Sequence, residues 1–573
     1  MKQETRNIII LMALAAFVLF AWPSIVNRIF PPANPPVNVV EKGKSEPLPQ
    51  PTADPAADTP KALRDRNLVL HETPRVAIKT PSLSGSINLK GARIDDLDLS
   101  KYAETVAKNS DPIRLLSPAG TDGSYFAQFG WQQAPGIQVP DANTVWQASG
   151  TTLTPATPVT LTTANATGQT FRIQISVDEN YMFTIRQTVA NRGAAPVTIN
   201  PTALVSRAEK SKDLDQFAAH VGPIAVAAGA ANYINYSEID TAAKAFDTTG
   251  GWVGFTDHYW LTALAPAQSV AVSLNQRQNP NSKAYQADYH LTTPLVVQPG
   301  KETSYTSRFF AGAKEVKILD QYEDKLGISK FGYAIDWGWF GIIEQPIFYY
   351  LDWLWKLVGN FGVAIMLLTV TIRGLLFPIA QRQFASMASM RALQPKMKAL
   401  QERYKDDKPR QQQEIMKLYK EEKVNPLAGC LPLLLQIPIM FALYKVLLLS
   451  TEMRHQPFVL WIKDLSAPDP ATILNLFGLL PFTVPGFLAI GVIPVLLGIS
   501  MFFQIRLNPA PMDDMQKQIF MIMPWMLMFV MAPFAVGLQV YWITSNCITI
   551  LQQSWLYSKH PALKVPVPKK AVE

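Results

Sequence analysis

The distribution of apolar and polar positions divides the chain into stretches of different kinds, beginning with an apolar run. Residues 8–26 contain no charged side chain and follow a short start that carries Lys2 and Arg6. A helix of that length can cross a hydrocarbon core of about 30 Å. Trp22 and Pro23 stand where a signal peptide would carry small residues before its cleavage site. We therefore predict an uncleaved first transmembrane anchor, with residues 1–7 in the cytoplasm.

Two non-membrane stretches follow this run. Residues 27–62 are rich in proline and predict an extended linker. From residue 63 onward, short runs alternate apolar with polar positions and end at turn residues, most clearly in a hairpin over residues 171–189. This period-two pattern predicts a large all-β sandwich, which we assign to residues 63–330. It follows the first span, so we expect it outside the cytoplasm.

The remaining chain is aromatic and apolar. Residues 331–356 carry Trp and Tyr at helical spacing, interrupted by acidic residues and proline, and predict an interfacial amphipathic helix. We predict a second span at residues 357–377. Third to sixth spans follow within residues 430–556, at about 431–449, 487–505, 519–536 and 538–556.

The distribution of Lys and Arg supports this six-span arrangement. Residues 378–429 carry eleven basic side chains, whereas the next loop, residues 450–486, carries two. Basic residues mark cytoplasmic loops, so both termini are predicted to be cytoplasmic, including the basic tail 557–573. Residues 378–429 also have helical periodicity with charges of both signs, broken at 406–409. They predict a cytoplasmic helical hairpin that could serve as a docking surface, or else a solvated charged linker.

The composition and the absence of common motifs exclude several classes of function. Hydrophobic residues make up 48% of the chain and charged residues 17%, and the net charge of +8 has no DNA-binding pattern beside it. The two cysteines are far apart and the six histidines are scattered, so we predict no disulfide framework and no metal site. No phosphate-binding glycine loop or nucleophile elbow is present. We expect no cofactor and no catalysed reaction.

Arg373 is the most informative polar residue, because it lies inside the predicted second span. An arginine at the centre of a span costs about 2.5–3.5 kcal/mol on insertion scales. It stands near the predicted cytoplasmic end, however, and could snorkel to the headgroups. Thr369, one turn earlier, hints at a polar stripe on the same helix face. Position alone leaves both interpretations open.

Other spans also carry polar side chains. These side chains either hydrogen-bond between helices or line a water-filled cavity. They belong to Gln436, Ser500, Gln504, Thr544 and Asn546. Methionines crowd the fifth span. They could form a surface for varied apolar partners or be ordinary lipid-facing side chains. The fifth-span methionines singled out here are Met521, Met526 and Met528.

Several motifs resemble those of one family. NPLAGCLPLLLQIPIMFALY at residues 425–444, TIRG at 371–374 and WIKDLS at 461–466 are similar to segments of the YidC membrane-protein insertases. Residues 387–396 and the Ser-Asn pair at 545–546 also match, as does the order of parts. The chain resembles the Gram-negative type, which has a large periplasmic domain.

The resemblance implies a bacterial inner-membrane insertase and chaperone that assists the folding of inner-membrane proteins, alone or with the Sec translocon. Residues 63–330 would form a periplasmic β-supersandwich. The five-span core would enclose a hydrophilic groove open to the cytoplasm and lipid, in which a cationic Arg373 attracts acidic substrate tails. The groove would comprise Arg373, Thr369, Gln436, Ser500, Gln504, Thr544 and Asn546, and a slide for the arriving helix would comprise Phe441, Met521, Met526 and Met528.

The resemblance also implies partners. These are nascent inner-membrane proteins, the Sec translocon with its accessory subunits, the ribosome, signal-recognition targeting factors and membrane lipids. Ribosomal contacts would fall on Lys559, Lys564, Lys569 and Lys570. Lys445 departs from the expected pattern, and we expect it to snorkel outward from the third span.

Two rival functions remain to be weighed. A secondary solute transporter would need a polar path to both sides and internal repeats, and no repeat is visible. A membrane-anchored protein acting on periplasmic glycans would use the β domain, although no catalytic constellation is recognisable there.

Overall fold

A computed structural model describes residues 63–134, 136–213, 219–338, 341–381, 393–405, 407–422, 431–475, 477, 480, 489–507 and 514–559. The chain divides into two compact units, Met1–Trp339 and Phe340–Glu573. The predicted cytoplasmic start, first anchor and linker lie outside the described residues, as does the tail beyond residue 559.

The first unit is an all-β domain with short helical additions, which confirms the predicted fold class for this region. Its helices are α1 (Arg66–His71), α2 (Tyr236–Thr241) and α3 (Val316–Leu326). Its strands are β1 (Arg75–Lys79), β2 (Leu83–Asn88), β3 (Arg93–Ala103), β4 (Pro112–Leu116), β5 (Tyr125–Trp131), β6 (Gln147–Ala148), β7 (Thr152–Leu153), β8 (Val159–Ala164), β9 (Gln169–Val177), β10 (Met182–Asn191), β11 (Val197–Ile199), β12 (Pro201–Arg207), β13 (Gly222–Ala227), β14 (Ala230–Tyr233), β15 (Lys244–Thr249), β16 (Trp252–Thr256), β17 (Trp260–Ala265), β18 (Ala271–Gln278), β19 (Tyr285–Leu291), β20 (Leu295–Val297) and β21 (Glu302–Ala313).

Two large sheets carry these strands. One has the order β15-β18-β19-β12-β5-β3-β2-β1-β7, with β4 beside β3, and the other β14-β13-β16-β17-β21-β10-β9-β8-β6. Strands β9 and β10 form the hairpin that the alternating pattern predicts, with Ile185 opposite Ile175. Buried apolar side chains alternate with half-buried or exposed polar ones along β9, so one face of the sheet is buried.

Aromatic side chains join the two sheets into a sandwich. The ring of Phe129 on β5 lies edge-on to that of Phe309 on β21, with centroids 5.8 Å apart. Trp131 on β5 meets Phe171 on β9 in the same manner at 5.1 Å. These rings are almost fully buried, and they supply the large apolar area that a sandwich core needs.

The second unit is helical. Its helices are α4 (Gly341–Val358), α5 (Phe361–Leu375), α6 (Gln394–Arg403), α7 (Lys408–Glu421), α8 (Leu431–Leu449), α9 (Val492–Leu507), α10 (Asp514–Met531) and α11 (Val536–Lys559). Among the described residues, no helix combines the length and the apolar character needed to span a membrane. The most extensive helix packing joins α9 and α5 to α11, α10 to α9, and α4 to both α5 and α8, whereas the contact between α8 and α11 is small.

Two boundaries around the predicted interfacial helix differ from the structure. Residues 331–334 form a short 3-10 turn in the first unit, and the helix itself runs from Gly341 to Val358. It therefore extends into the predicted second span. Gly359 ends it with a φ of 70°, in the left-handed region that glycine adopts without strain. The Asn360 side chain then accepts from the backbone N–H of Val363 at 3.1 Å and starts helix α5.

The ends of the later helices also differ from the predicted ones, and side-chain hydrogen bonds to the backbone lie at two of these ends. Helix α9 begins at Val492 rather than 487, where the Asp469 carboxylate accepts from the N–H of Ile493 at 2.8 Å. Helix α10 spans Asp514–Met531 instead of 519–536. The Gln539 amide donates to the carbonyls of Met531 and Phe534 beyond its end. Helix α11 runs from 536 to 559 instead of 538 to 556.

The segment between helices α5 and α8 contains the predicted pair of helices, α6 and α7. Asp407 lies at the predicted break and caps α7 by accepting from the N–H of Arg410 at 3.1 Å. The Lys396 ammonium lies 2.6 Å from a carboxylate oxygen of Glu422 and ties the two helices together. The cytoplasmic location of this hairpin stays a prediction.

Lys445 does not snorkel, so that expectation is wrong. Its side chain is buried on α8, and its Nζ lies 3.7 Å from a carboxylate oxygen of Glu344 on α4, which is fully buried. An opposite charge within the packed helices draws the ammonium inward. Sequence analysis treated Glu344 only as an interruption of an amphipathic pattern and missed this pairing.

Candidate polar groove of the helical unit

Arg373 forms the first of three polar contacts on helix α11. It lies in the last turn of α5 and is half-buried. Its Nε donates to the hydroxyl of Ser545 at 2.8 Å, and its Nη2 donates to the same oxygen. Ser545 is almost fully buried. Among the described residues, none of the ion pairs includes Arg373, so a neutral hydroxyl holds this cation.

The second contact joins helix α8 to α11. The Gln436 side-chain amide donates to the Tyr541 hydroxyl at 2.8 Å. Tyr541 stands four residues before Ser545, so both project from one face of α11. That face receives α5 and α8 together, and Tyr541 is nearly inaccessible to solvent.

The third contact joins helix α9 to α11 on a different side. The Asn546 amide donates to the Ser500 hydroxyl at 2.9 Å, and Ser500 donates to the Leu497 carbonyl of its own helix. Adjacent residues on a helix point about 100° apart, so Asn546 and Ser545 face different neighbours. The structure therefore separates Ser500 and Asn546 from Arg373.

Two of the remaining predicted groove residues, Thr369 and Thr544, make hydrogen bonds within their own helices. Thr369 is completely buried, and its hydroxyl donates to the Ile365 carbonyl one turn back. Thr544 makes the same kind of bond to Val540. Gln504 is half-buried, one turn beyond Ser500 on α9. Such intrahelical bonds satisfy threonine without any cavity.

The predicted slide residues divide into two groups. Met521 and Met526 are exposed on α10, within a broad apolar face that also carries Trp525. Met528 is half-buried and packs against the backbone of Gly498 on α9. Phe441 on α8 is half-buried. The exposed group is therefore accessible on the surface of the helical unit, whereas Met528 packs between helices.

Sequence analysis left Tyr541 and Ser545 out of the candidate site. Their spacing of four residues on the predicted sixth span, which is rich in polar side chains, was the available signal. Lys559 ends helix α11, whereas Lys564, Lys569 and Lys570 lie outside the described residues, so the ribosome contacts stay predictions. Within the described part of the chain, no cluster of His, Cys, Asp or Glu could hold a metal ion.

Comparison with known proteins places both units in one class. The family model described as the YidC periplasmic domain matches residues 75–350, and that described as the 60Kd inner membrane protein matches residues 353–563. The pairing of these two family models is that of inner-membrane proteins with a periplasmic domain.

Relatives identify the family within this class. A membrane protein insertase YidC from Zymomonas mobilis is 48% identical over 98% of this chain and 96% of its own length. Another from Beijerinckia indica is 44% identical over 99% and 97%. A solved structure of an active YidC insertase matches 86% of this chain and 94% of its own length at 17% identity, with a TM-score of 0.37. The chain belongs to the YidC family of membrane protein insertases.

Proposed function

We propose that this chain inserts membrane proteins and assists their folding, acting through binding and without a catalysed reaction. Its full-length relatives are named for insertion, and they are 44–48% identical to it. The observation that carries the mechanism is the Arg373 contact with Ser545. An arginine held by a neutral hydroxyl is positioned without losing its charge, so its positive potential stays available to a substrate.

The electrostatic role follows from where this charge lies. A unit charge attracts an opposite one 4 Å away by about 1 kcal/mol in water and by about 4 kcal/mol at the effective dielectric of a protein surface. An acidic substrate tail therefore gains most near a half-buried cation. Tyr541 and Gln436 add polar groups beside it, and the exposed face of α10 offers Met521 and Met526 to the apolar part of the substrate.

We further propose the six-span arrangement, with both termini in the cytoplasm, because basic residues concentrate between residues 378 and 429 and after residue 557. The α6–α7 hairpin and the tail lysines would then face the ribosome and targeting factors, since ribosomal RNA is a polyanion. The Sec translocon and its accessory subunits are proposed partners within the membrane.

The test compares Arg373→Ala with the wild type on two reporters that differ only in having an acidic or a neutral translocated tail. We expect the substitution to lower insertion of the acidic tail about tenfold, equivalent to about 1.4 kcal/mol. The neutral tail should insert nearly normally. Protection of the tail from external protease measures insertion, and the amount of folded variant in the membrane is measured in parallel.

Two further variants separate charge from structure. Arg373→Lys should retain more acidic-tail insertion than Arg373→Ala, because positive potential matters more than the planar guanidinium. Ser545→Ala removes the partner hydroxyl and leaves the charge, so it should keep the preference for acidic tails. Equal insertion of both reporters by wild type and Arg373→Ala would mean that the arginine only anchors its helix end.

A further inference from the structure

An apolar groove runs between helices α9 and α11, away from the Arg373 contact. Its volume is about 720 Å³. Helix α9 contributes Leu496, Ile499 and Phe503, and α11 contributes Ile543, Cys547 and Ile550. The three α9 side chains follow one another at helical spacing on one face and are 38–53% exposed. This lining suits a flexible apolar ligand.

The groove has one charged end. Arg506 lines it in the last turn of α9, and its guanidinium carbon lies 6.0 Å from the centroid of the Phe502 ring. The side chain is exposed, and none of the ion pairs among the described residues includes it. A cation at the end of an apolar groove matches a ligand with an anionic head and an apolar tail.

The dimensions of the groove point to a single lipid leaflet. Residues 496 to 506 span about 15 Å at the α-helical rise per residue. That is about half of a hydrocarbon core of about 30 Å. A ligand with its head at Arg506 would therefore extend its chain to about the bilayer midplane.

We propose that this groove binds one anionic phospholipid, with an acyl chain along α9 and α11 and its phosphate on Arg506. Arginine binds phosphate oxygens through two parallel N–H donors. The cation at one end of the groove favours a ligand with an anionic head over an uncharged transmembrane helix. The site lies on the α9 side of α11, whereas Arg373 contacts α11 from α5.

Native mass spectrometry of the detergent-solubilised full chain tests the proposal, using phosphatidylglycerol and phosphatidylcholine with identical chains. We expect the wild type to bind the first phosphatidylglycerol about five-fold more tightly, the contribution of one basic residue near a lipid surface. Arg506→Gln should abolish this preference. Lys463→Gln removes an equal charge from an exposed loop position and should preserve it.

A second variant tests the acyl-chain path. Cys547→Trp fills an exposed part of the groove and should weaken binding of both lipids. Equal binding of the two lipids by the wild type, or an unchanged preference in Arg506→Gln, would overturn the proposal and leave an ordinary lipid-facing surface. Unchanged binding in Cys547→Trp would overturn the assigned path. No substrate is present in these measurements, so their failure would not bear on the insertase function.

Discussion

Glu344 and Lys445 bury opposite charges between helices α4 and α8. Removing one partner leaves the other buried charge without this opposite charge, which lowers the free energy of unfolding by about 3–5 kcal/mol in buried pairs. Replacing both partners is often neutral. We therefore predict that Lys445→Met markedly lowers the thermal unfolding temperature of the helical unit. The double variant Glu344→Gln with Lys445→Met should recover most of the loss. Differential scanning fluorimetry in detergent measures both.

The control for this pair is an exposed pair in the same helical unit. Lys396 lies 2.6 Å from Glu422, and the two side chains are 62% and 37% exposed. Exposed pairs contribute about 0–1 kcal/mol, so Lys396→Met should change the unfolding temperature little. An equal effect of Lys396→Met and Lys445→Met would contradict a special role for burial.

Lys314 predicts a pH dependence in the β domain. Burial lowers the pKa of its ammonium to about 8, against the attraction of Asp257, Asp336 and Asp213. Its Nζ donates to the Thr256 hydroxyl at 2.9 Å. An unfolded lysine has a pKa of about 10.4, so between these values the unfolded state binds more protons and the free energy of unfolding rises with pH.

The matching experiment compares the wild type with Lys314→Met by pulse proteolysis in urea, following fragments of the β domain. Relative to the variant, the wild type should gain up to about 3 kcal/mol from pH 7 to pH 10. A constant difference across this range would show that the folded-state pKa of Lys314 is not lowered. Thr256→Val, which removes the hydroxyl partner, should leave the sign of the pH dependence unchanged.

At the scale of elements, the start of helix α5 packs against a loop through a glycine. A Cβ at Gly362 would stand 2.0 Å from the ring of Phe458, so Gly362→Ala must displace the loop or the helix. We predict a loss of about 1–3 kcal/mol, typical of overpacking, and faster proteolysis of the loop around Phe458.

Gly374 on the same helix is the matched control. Among the described residues, no atom beyond its chain neighbours and the adjacent backbone of its own helix lies within 4 Å of the Cβ that Gly374→Ala would add. That variant should be neutral, or more stable by about 1 kcal/mol through helix propensity. If both alanine variants behaved alike, the close packing against Phe458 would not be what constrains position 362.

At the scale of the whole molecule, the two compact units predict separable roles. The polar contacts of α11 and the exposed face of α10 all lie in Phe340–Glu573. Deleting residues 63–339, while keeping residues 1–62 and helix α4, should therefore leave substantial insertion of a small reporter. Complete loss of insertion by a truncated protein that still folds in the membrane would contradict the prediction that the helical unit inserts proteins without the β domain.

Periodicity alone determined much of this architecture. Alternation of apolar and polar positions is a local property of a strand with one buried face, and the β9–β10 hairpin appears where it was predicted. Long apolar runs likewise located helices α5, α8, α9, α10 and α11 to within about five residues. Motifs at 371–374 and 425–444 indicated the family, because they occur in a fixed order along the chain.

Only tertiary structure decided which polar side chains meet. Arg373 and Ser545 are 172 residues apart, and Glu344 and Lys445 lie on helices whose contact no local pattern reveals. The order of strands in the two sheets also depends on pairing between distant segments, as in β5 beside β12. Local sequence sets the type of an element and its apolar face, whereas the partner of a buried charge depends on how all the helices pack together.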